Sequence, residues 1–145
     1  MPTVDSIQPR LVVNDADGAI SFYSSALGAR ELARFTDDEG RIVHAELDID
    51  GMVITLKDAA DGDPAPPQLG GTPVIFTLRV DDPDTLAERM VRAGASVIYP
   101  VADRPYGNRD GRLADPYGHV WMVSRQVEAL DASEVQQRVD EMHQH

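Results

Sequence analysis

The sequence predicts an α+β fold of two tandem βαβββ modules, and three features carry that expectation. Runs of alternating apolar and polar residues mark half-buried strands in both halves. Each half also holds one stretch with apolar residues at three- and four-residue spacing, as a helix with a single buried stripe requires. The exits of those helices match, Leu27-Gly28-Ala29 against Ala93-Gly94-Ala95, at a repeat of about 66 residues.

In the first half, residues 7 to 13 alternate as a strand, with Pro9 early because proline cannot donate to the ladder. Asn14-Asp15 supplies capping side chains for a helix that carries Ala19, Phe22, Tyr23, Ala26 and Leu27 and ends at Gly28. A short strand over 30 to 35 and a turn over 37 to 40 follow. Residues 42 to 49 alternate cleanly, with Val43, Ala45, Leu47 and Ile49 on one face and His44, Glu46 and Asp48 on the other. Asp50-Gly51 is a hairpin signal before a strand over 52 to 57.

Residues 58 to 73 change abruptly to proline, glycine and aspartate, as a linker or long surface loop does. The second half then repeats the pattern. Residues 74 to 80 form a strand, and Asp82-Pro83 reads as an N-cap with proline at the first helical position. Leu86, Ala87, Met90 and Ala93 form the helical stripe. Strands follow over 97 to 100, 112 to 115 and 119 to 124, with turns at Asp110-Gly111 and Asp115-Pro116-Tyr117-Gly118. The chain therefore reads as one domain over 1–145: module one 5–57, linker 58–73, module two 74–125 and a helical tail 126–145. In the tail, Ser133 and Gln136 make a capping-box pattern ahead of Val135, Val139 and Met142.

Composition narrows the function classes. A formal net charge of −12 with a single lysine, Lys57, argues against a nucleic-acid partner, because phosphate neutralisation needs clustered cations. No run approaches the roughly 18 apolar residues of a membrane span. The first residues, Met1 to Asp5, lack the basic and apolar regions of a signal peptide, so a cytoplasmic location is expected. Zero cysteines remove disulfides, thiolate nucleophiles and zinc-thiolate sites.

Paired modules of this kind resemble the vicinal oxygen chelate superfamily of glyoxalases, bleomycin-resistance proteins, fosfomycin-resistance enzymes and extradiol dioxygenases. The residues carrying the resemblance are Leu11-Val12-Val13-Asn14-Asp15, Ala19-Ile20-Ser21-Phe22-Tyr23, Ala26-Leu27-Gly28-Ala29 and Asp115-Pro116-Tyr117-Gly118-His119. It spans roughly residues 7 to 125. It implies that each module curls its sheet into a half-barrel, with helices on the convex side and a cavity between facing modules, within one chain or across a dimer. Metal-dependent members place ligands on the first and last strands of each module. Carried over by register, those positions hold Gln8, Thr55, Ile75 and Met122: an amide, a hydroxyl, an aliphatic and a thioether. A first-row divalent metal wants imidazole, carboxylate or thiolate donors, so no metal and no cofactor are expected.

Strand parity gives the residues expected to line the cavity: Gln8, Arg10, His44, Glu46, Thr55, Ile75, Thr77, Leu113 and Met122. Tyr99 and Tyr106 stand ready to close over a ligand from neighbouring loops. Trp121 and His119 fall on the opposite, helix-facing side. The expected function is metal-independent binding of the bleomycin-resistance type, in which a homodimer sequesters a hydrophobic or aromatic natural product and so confers drug resistance. The alternative is a metal-independent isomerase, cyclase or lyase, in which His44 and Glu46 supply acid–base chemistry.

Overall fold

The computed structural model describes residues 1–144; position 145 of the tail lies outside the described residues. The elements run Arg10–Val13 (β1), Ala16–Leu27 (α1), Arg30–Thr36 (β2), Ile42–Ile49 (β3), Met52–Asp58 (β4), Pro66–Leu69 (α2), Ile75–Arg79 (β5), Pro83–Ala93 (α3), Ser96–Asp103 (β6), Asn108–Ala114 (β7), Val120–Gln126 (β8) and Ala132–Met142 (α4). The two βαβββ modules are present. The helix of each module starts as its sequence dictates. The Asp15 carboxylate accepts from Gly18 N at 3.0 Å, and Asp82 accepts from Thr85 N at 3.1 Å. Gly28 closes α1 in the left-handed region at φ 68°, where a side chain would be strained.

The strands form two four-stranded sheets, ordered β1-β4-β3-β2 and β5-β8-β7-β6. In each the first strand runs parallel to the last, and the remaining pairs are antiparallel. The expected curled half-barrels are not found: neither sheet is closed or strongly curled, and each remains open with two edge strands. Four strands rotated by about 20–25° from neighbour to neighbour give a twisted sheet, and closure needs more strands and a matched stagger.

The helix-facing sides of the two sheets share one core. Leu11, Val13, Ala45, Leu47 and Leu56 of module one and Leu113, Trp121 and Val123 of module two are all buried, with α1 packed against α3. The Tyr23 ring sits edge-on to Trp121, 5.6 Å between centroids, and Phe76 lies 5.0 Å from the same indole. Trp121 and His119 thus face the helices, as parity required. His119 Nε2 lies 2.9 Å from the carbonyl oxygen of Val12, a further tie between modules.

Module two departs from the sequence reading at β7. Asp110-Gly111 is not a turn; both residues lie inside the strand. The chain turns earlier, where Gly107 N donates to Arg104 O at 3.2 Å with Gly107 at φ 96°. The glycine at 111 serves close approach instead. A Cβ there would stand 2.8 Å from both the backbone nitrogen and a methyl of Val101 on β6. This longer strand also corrects Leu113. It pairs with Trp121, so it shares the tryptophan's side and is buried in the core at 1% exposure, not on the face expected to bind ligand.

The connection between modules is more structured than its composition implied. It carries α2, whose Pro66 is buried, and Gln68 Nε2 donates to Asn14 Oδ1 at 2.8 Å. In the tail, the cap of α4 lies two residues before the expected Ser133. Asp131 caps it by accepting from Glu134 N at 2.8 Å, and no residue of α4 is buried. No helix among the described residues is long and apolar enough to cross a membrane.

Candidate functional site

The sides of the two sheets that face away from the helices carry the polar groups. In each sheet the strand register aligns them in a row. The first row runs Arg10, Thr55, Glu46, Ala33 across β1, β4, β3 and β2. Its counterpart runs Thr77, Met122, Arg112, Tyr99 across β5, β8, β7 and β6. Among the described residues no strand of one sheet packs extensively on a strand of the other, and both of these faces stand open.

On the first face, His44 sits between two charged groups. Arg10 Nη1 lies 2.6 Å from His44 Nδ1, and His44 Nε2 lies 3.1 Å from Glu46 Oε1. A guanidinium can only donate, so Nδ1 accepts and Nε2 carries the hydrogen that Glu46 receives. Arg10 is itself fixed by Nη2 donating to Val43 O at 2.9 Å. Phe35 of β2 stacks on the imidazole, 6.2 Å between centroids and 18° between planes, and is 58% exposed. Both ring nitrogens of His44 are therefore engaged, and the exposed surface of this cluster combines the Phe35 ring with the charged groups of Arg10 and Glu46.

On the second face, Tyr99 lies between two guanidiniums, with Arg104 Cζ 4.9 Å and Arg112 Cζ 5.1 Å from its ring centre. Such contacts attract a cation to the ring's negative face. The Tyr99 hydroxyl donates to Met122 Sδ at 3.7 Å. Asp110, 1% exposed, occupies the adjoining row opposite Ser124. Its Oδ1 accepts from Arg104 Nε at 3.0 Å and its Oδ2 from the Tyr106 hydroxyl at 2.7 Å. Burial, and then the bond to the Asp110 carboxylate, push the Tyr106 phenol up to about 12.

Beside this face, a cleft of about 520 Å³ opens at the module junction. Leu27, Ile49, Met52, Leu86, Thr77 and Arg79 are among its lining residues. Its size and mixed lining fall within the range of small-molecule pockets.

The four positions matched to family metal ligands do not fit a metal. Gln8 is exposed ahead of β1. The Thr55 hydroxyl is spent on Pro9 O at 3.0 Å, Ile75 has no donor atom, and Met122 sulfur accepts from Tyr99. Among the described residues no group of three or more His, Asp or Glu is placed to hold a metal ion.

Of the residues expected to line a site, the structure brings Arg10, His44, Glu46 and Thr55 onto one face. It brings Ile75, Thr77, Tyr99 and Met122 onto the other, with Tyr106 reaching in through Asp110. Sequence reasoning missed Phe35, Arg104, Asp110 and Arg112. The signal for Arg112 was present: the hairpin around Asp115-Pro116-Tyr117-Gly118 pairs Ala114 with Val120, and counting two residues back sets Arg112 opposite Met122.

A family model described as the glyoxalase/bleomycin resistance protein/dioxygenase superfamily matches residues 3–123. A protein of Mycobacterium bovis called uncharacterized is 38% identical over 136 residues, covering 90% of each chain, and one from Mycobacterium tuberculosis matches at the same identity over 80% of its own length. Among solved structures, TioX from a Micromonospora species is 26% identical, covering 83% of this chain and 99% of its own, with a TM-score of 0.64. A glyoxalase/bleomycin resistance protein/dioxygenase from Nocardioides has a TM-score of 0.68 at 23% identity, covering 91% and 90%, and shares the fold. The strand order, the repeat and these matches agree: the chain belongs to the glyoxalase/bleomycin resistance protein/dioxygenase superfamily.

Proposed function

We propose that this chain is a metal-independent binding protein that sequesters a hydrophobic or aromatic small molecule, in the manner of the bleomycin-resistance branch. The observation that carries the reading is the makeup of the two open sheet faces. Each sets aromatic or thioether surface beside separated polar groups, and the positions matched to metal ligands lack suitable donors. A homodimer completes the reading, because Phe35, Val43, Ile75, Val97 and Ile98 are each more than two-fifths exposed and a second copy would cover them. A cytoplasmic setting accords with the absence of cysteine.

The second reading is a metal-independent isomerase, cyclase or lyase, favoured by the hydrogen bond between His44 and Glu46 on an accessible face. Against it, Arg10 occupies the only imidazole nitrogen able to accept a proton. One experiment separates the two. Compound extracted from the purified, denatured protein is returned to fresh protein and followed by mass spectrometry. The binding reading requires stoichiometric recovery with the mass unchanged. Conversion that disappears in His44→Ala while binding persists would establish the enzyme.

A further inference from the structure

Arg112 is a cation without a counterpart. Its Nε is the one buried side-chain polar atom among the described residues that has no hydrogen-bond partner, and its guanidinium makes no ion pair. Asp110, two residues back on the same face, bonds Arg104 and Tyr106 and makes no ion pair with Arg112. Arg30, Arg34, Arg41, Arg104, Arg109 and Arg138 pair with carboxylates; among the described residues Arg10, Arg79, Arg89, Arg92 and Arg125 do not, but none of them leaves a buried side-chain nitrogen without a partner as Arg112 does. A buried guanidinium N–H left unpaired is costly unless a ligand group completes it.

What surrounds Arg112 states the chemistry of that ligand. The guanidinium fork matches the two oxygens of a carboxylate. Tyr99, Met122 and Thr77 lie in the same row, and Ile75 and Val120 form the next, so the floor next to the cation is largely apolar. We propose that the second sheet's outward face binds the carboxylate of an aromatic acid through Arg112, with the ring laid over Met122 and the apolar row. This deepens the small-molecule reading above and rests on it. The net charge of −12 opposes the approach of an anion over long range, but that repulsion is screened by salt at the separations involved. The local field at Arg112 is set by its missing counterion.

The test compares 2-naphthoate with its neutral isostere 2-naphthamide, by calorimetric titration of the intact protein and of Arg112→Gln and Arg112→Lys. The expected result is naphthoate binding about tenfold tighter than naphthamide to the unaltered protein, as one charge-assisted contact provides. That advantage falls to within about twofold in Arg112→Gln and is partly kept in Arg112→Lys, while naphthamide affinity stays level. Equal affinities for the two compounds in the unaltered protein would overturn the anion site and leave small-molecule binding standing. An advantage that survives in Arg112→Gln would overturn it as well. Failure of both compounds to bind would overturn this site for aromatic acids, while the small-molecule reading it rests on is judged separately by the ligand recovered from the purified protein.

Discussion

Replacing Asp115 by alanine should destabilise the protein more than any other single change of one surface-turn residue. The residue begins the turn before β8, yet it is 4% exposed and its carboxylate accepts four hydrogen bonds. Tyr23 Oη donates from α1 at 2.5 Å, Trp121 Nε1 at 2.9 Å, and the backbone nitrogens of Tyr117 and His119 at 2.9 and 3.0 Å. The Tyr23 bond crosses from one module to the other inside the shared core. Counting only the two buried side-chain donors, at about 2 kcal/mol each for bonds to a charged group, gives a loss of about 4 kcal/mol. That is a large part of the 5–15 kcal/mol typical of a domain. At about 3 °C per kcal/mol for this size, Tm should fall by about 12 °C. The assay is urea unfolding of Asp115→Ala, Tyr23→Phe and the double variant. The two single losses should overlap by about 2 kcal/mol in the cycle, because each removes the same bond. A loss under about 1 kcal/mol in Asp115→Ala, or a coupling near zero, would refute the role given to this carboxylate.

Two further predictions concern the same framework. Burial, and then Asp115, hold the Tyr23 phenol well above the usual tyrosine range, and Tyr106 is raised to about 12. Groups raised in the folded state contribute stability that is whole below about pH 10 and fades as pH climbs through the folded value. Phenolate absorbance should therefore lag in the folded protein, and a titration with every tyrosine ionising near pH 10 before unfolding would contradict this. Gly111→Ala should cost about 1–3 kcal/mol, since its Cβ would stand 2.8 Å from Val101 backbone. Gly28→Ala, strained at φ 68° but open in space, should cost about 1 kcal/mol. Equal urea midpoints for the two variants would show that the close approach at Gly111 is not what selects glycine.

Local sequence signals made most of the fold legible. The caps Asp15 and Asp82, the helix stops Gly28 and Gly94 and the alternation of β3 and β8 all act within a few residues, so a reader can find them in order along the chain. Two of the errors share a physical source, which is that a dipeptide does not reveal what approaches it from far away. Asp110-Gly111 looked like a turn because glycine is common there; here it admits Val101. Asp115 looked like a turn initiator, and nothing adjacent in sequence announces Tyr23, 92 positions away. Leu113 was assigned to the wrong face although the register of the Asp115 hairpin sets it opposite Trp121, on the core side. The sheet curl came from resemblance alone, with no residue of this chain behind it, and the open sheets correct it. On the site, His44, Glu46, Arg10 and Met122 were readable from parity, whereas the Arg104–Asp110–Tyr106 network required the strand β7 in its full length.

Metal-independent binding of an organic molecule is tested by a native mass spectrum of the protein taken from the cells that make it, recorded with and without a chelator. The expected spectra show an organic adduct of constant mass that withstands the chelator, with no stoichiometric transition metal in either one. A metal ion bound one per chain, whose removal by the chelator also releases the adduct, would contradict metal-independent binding.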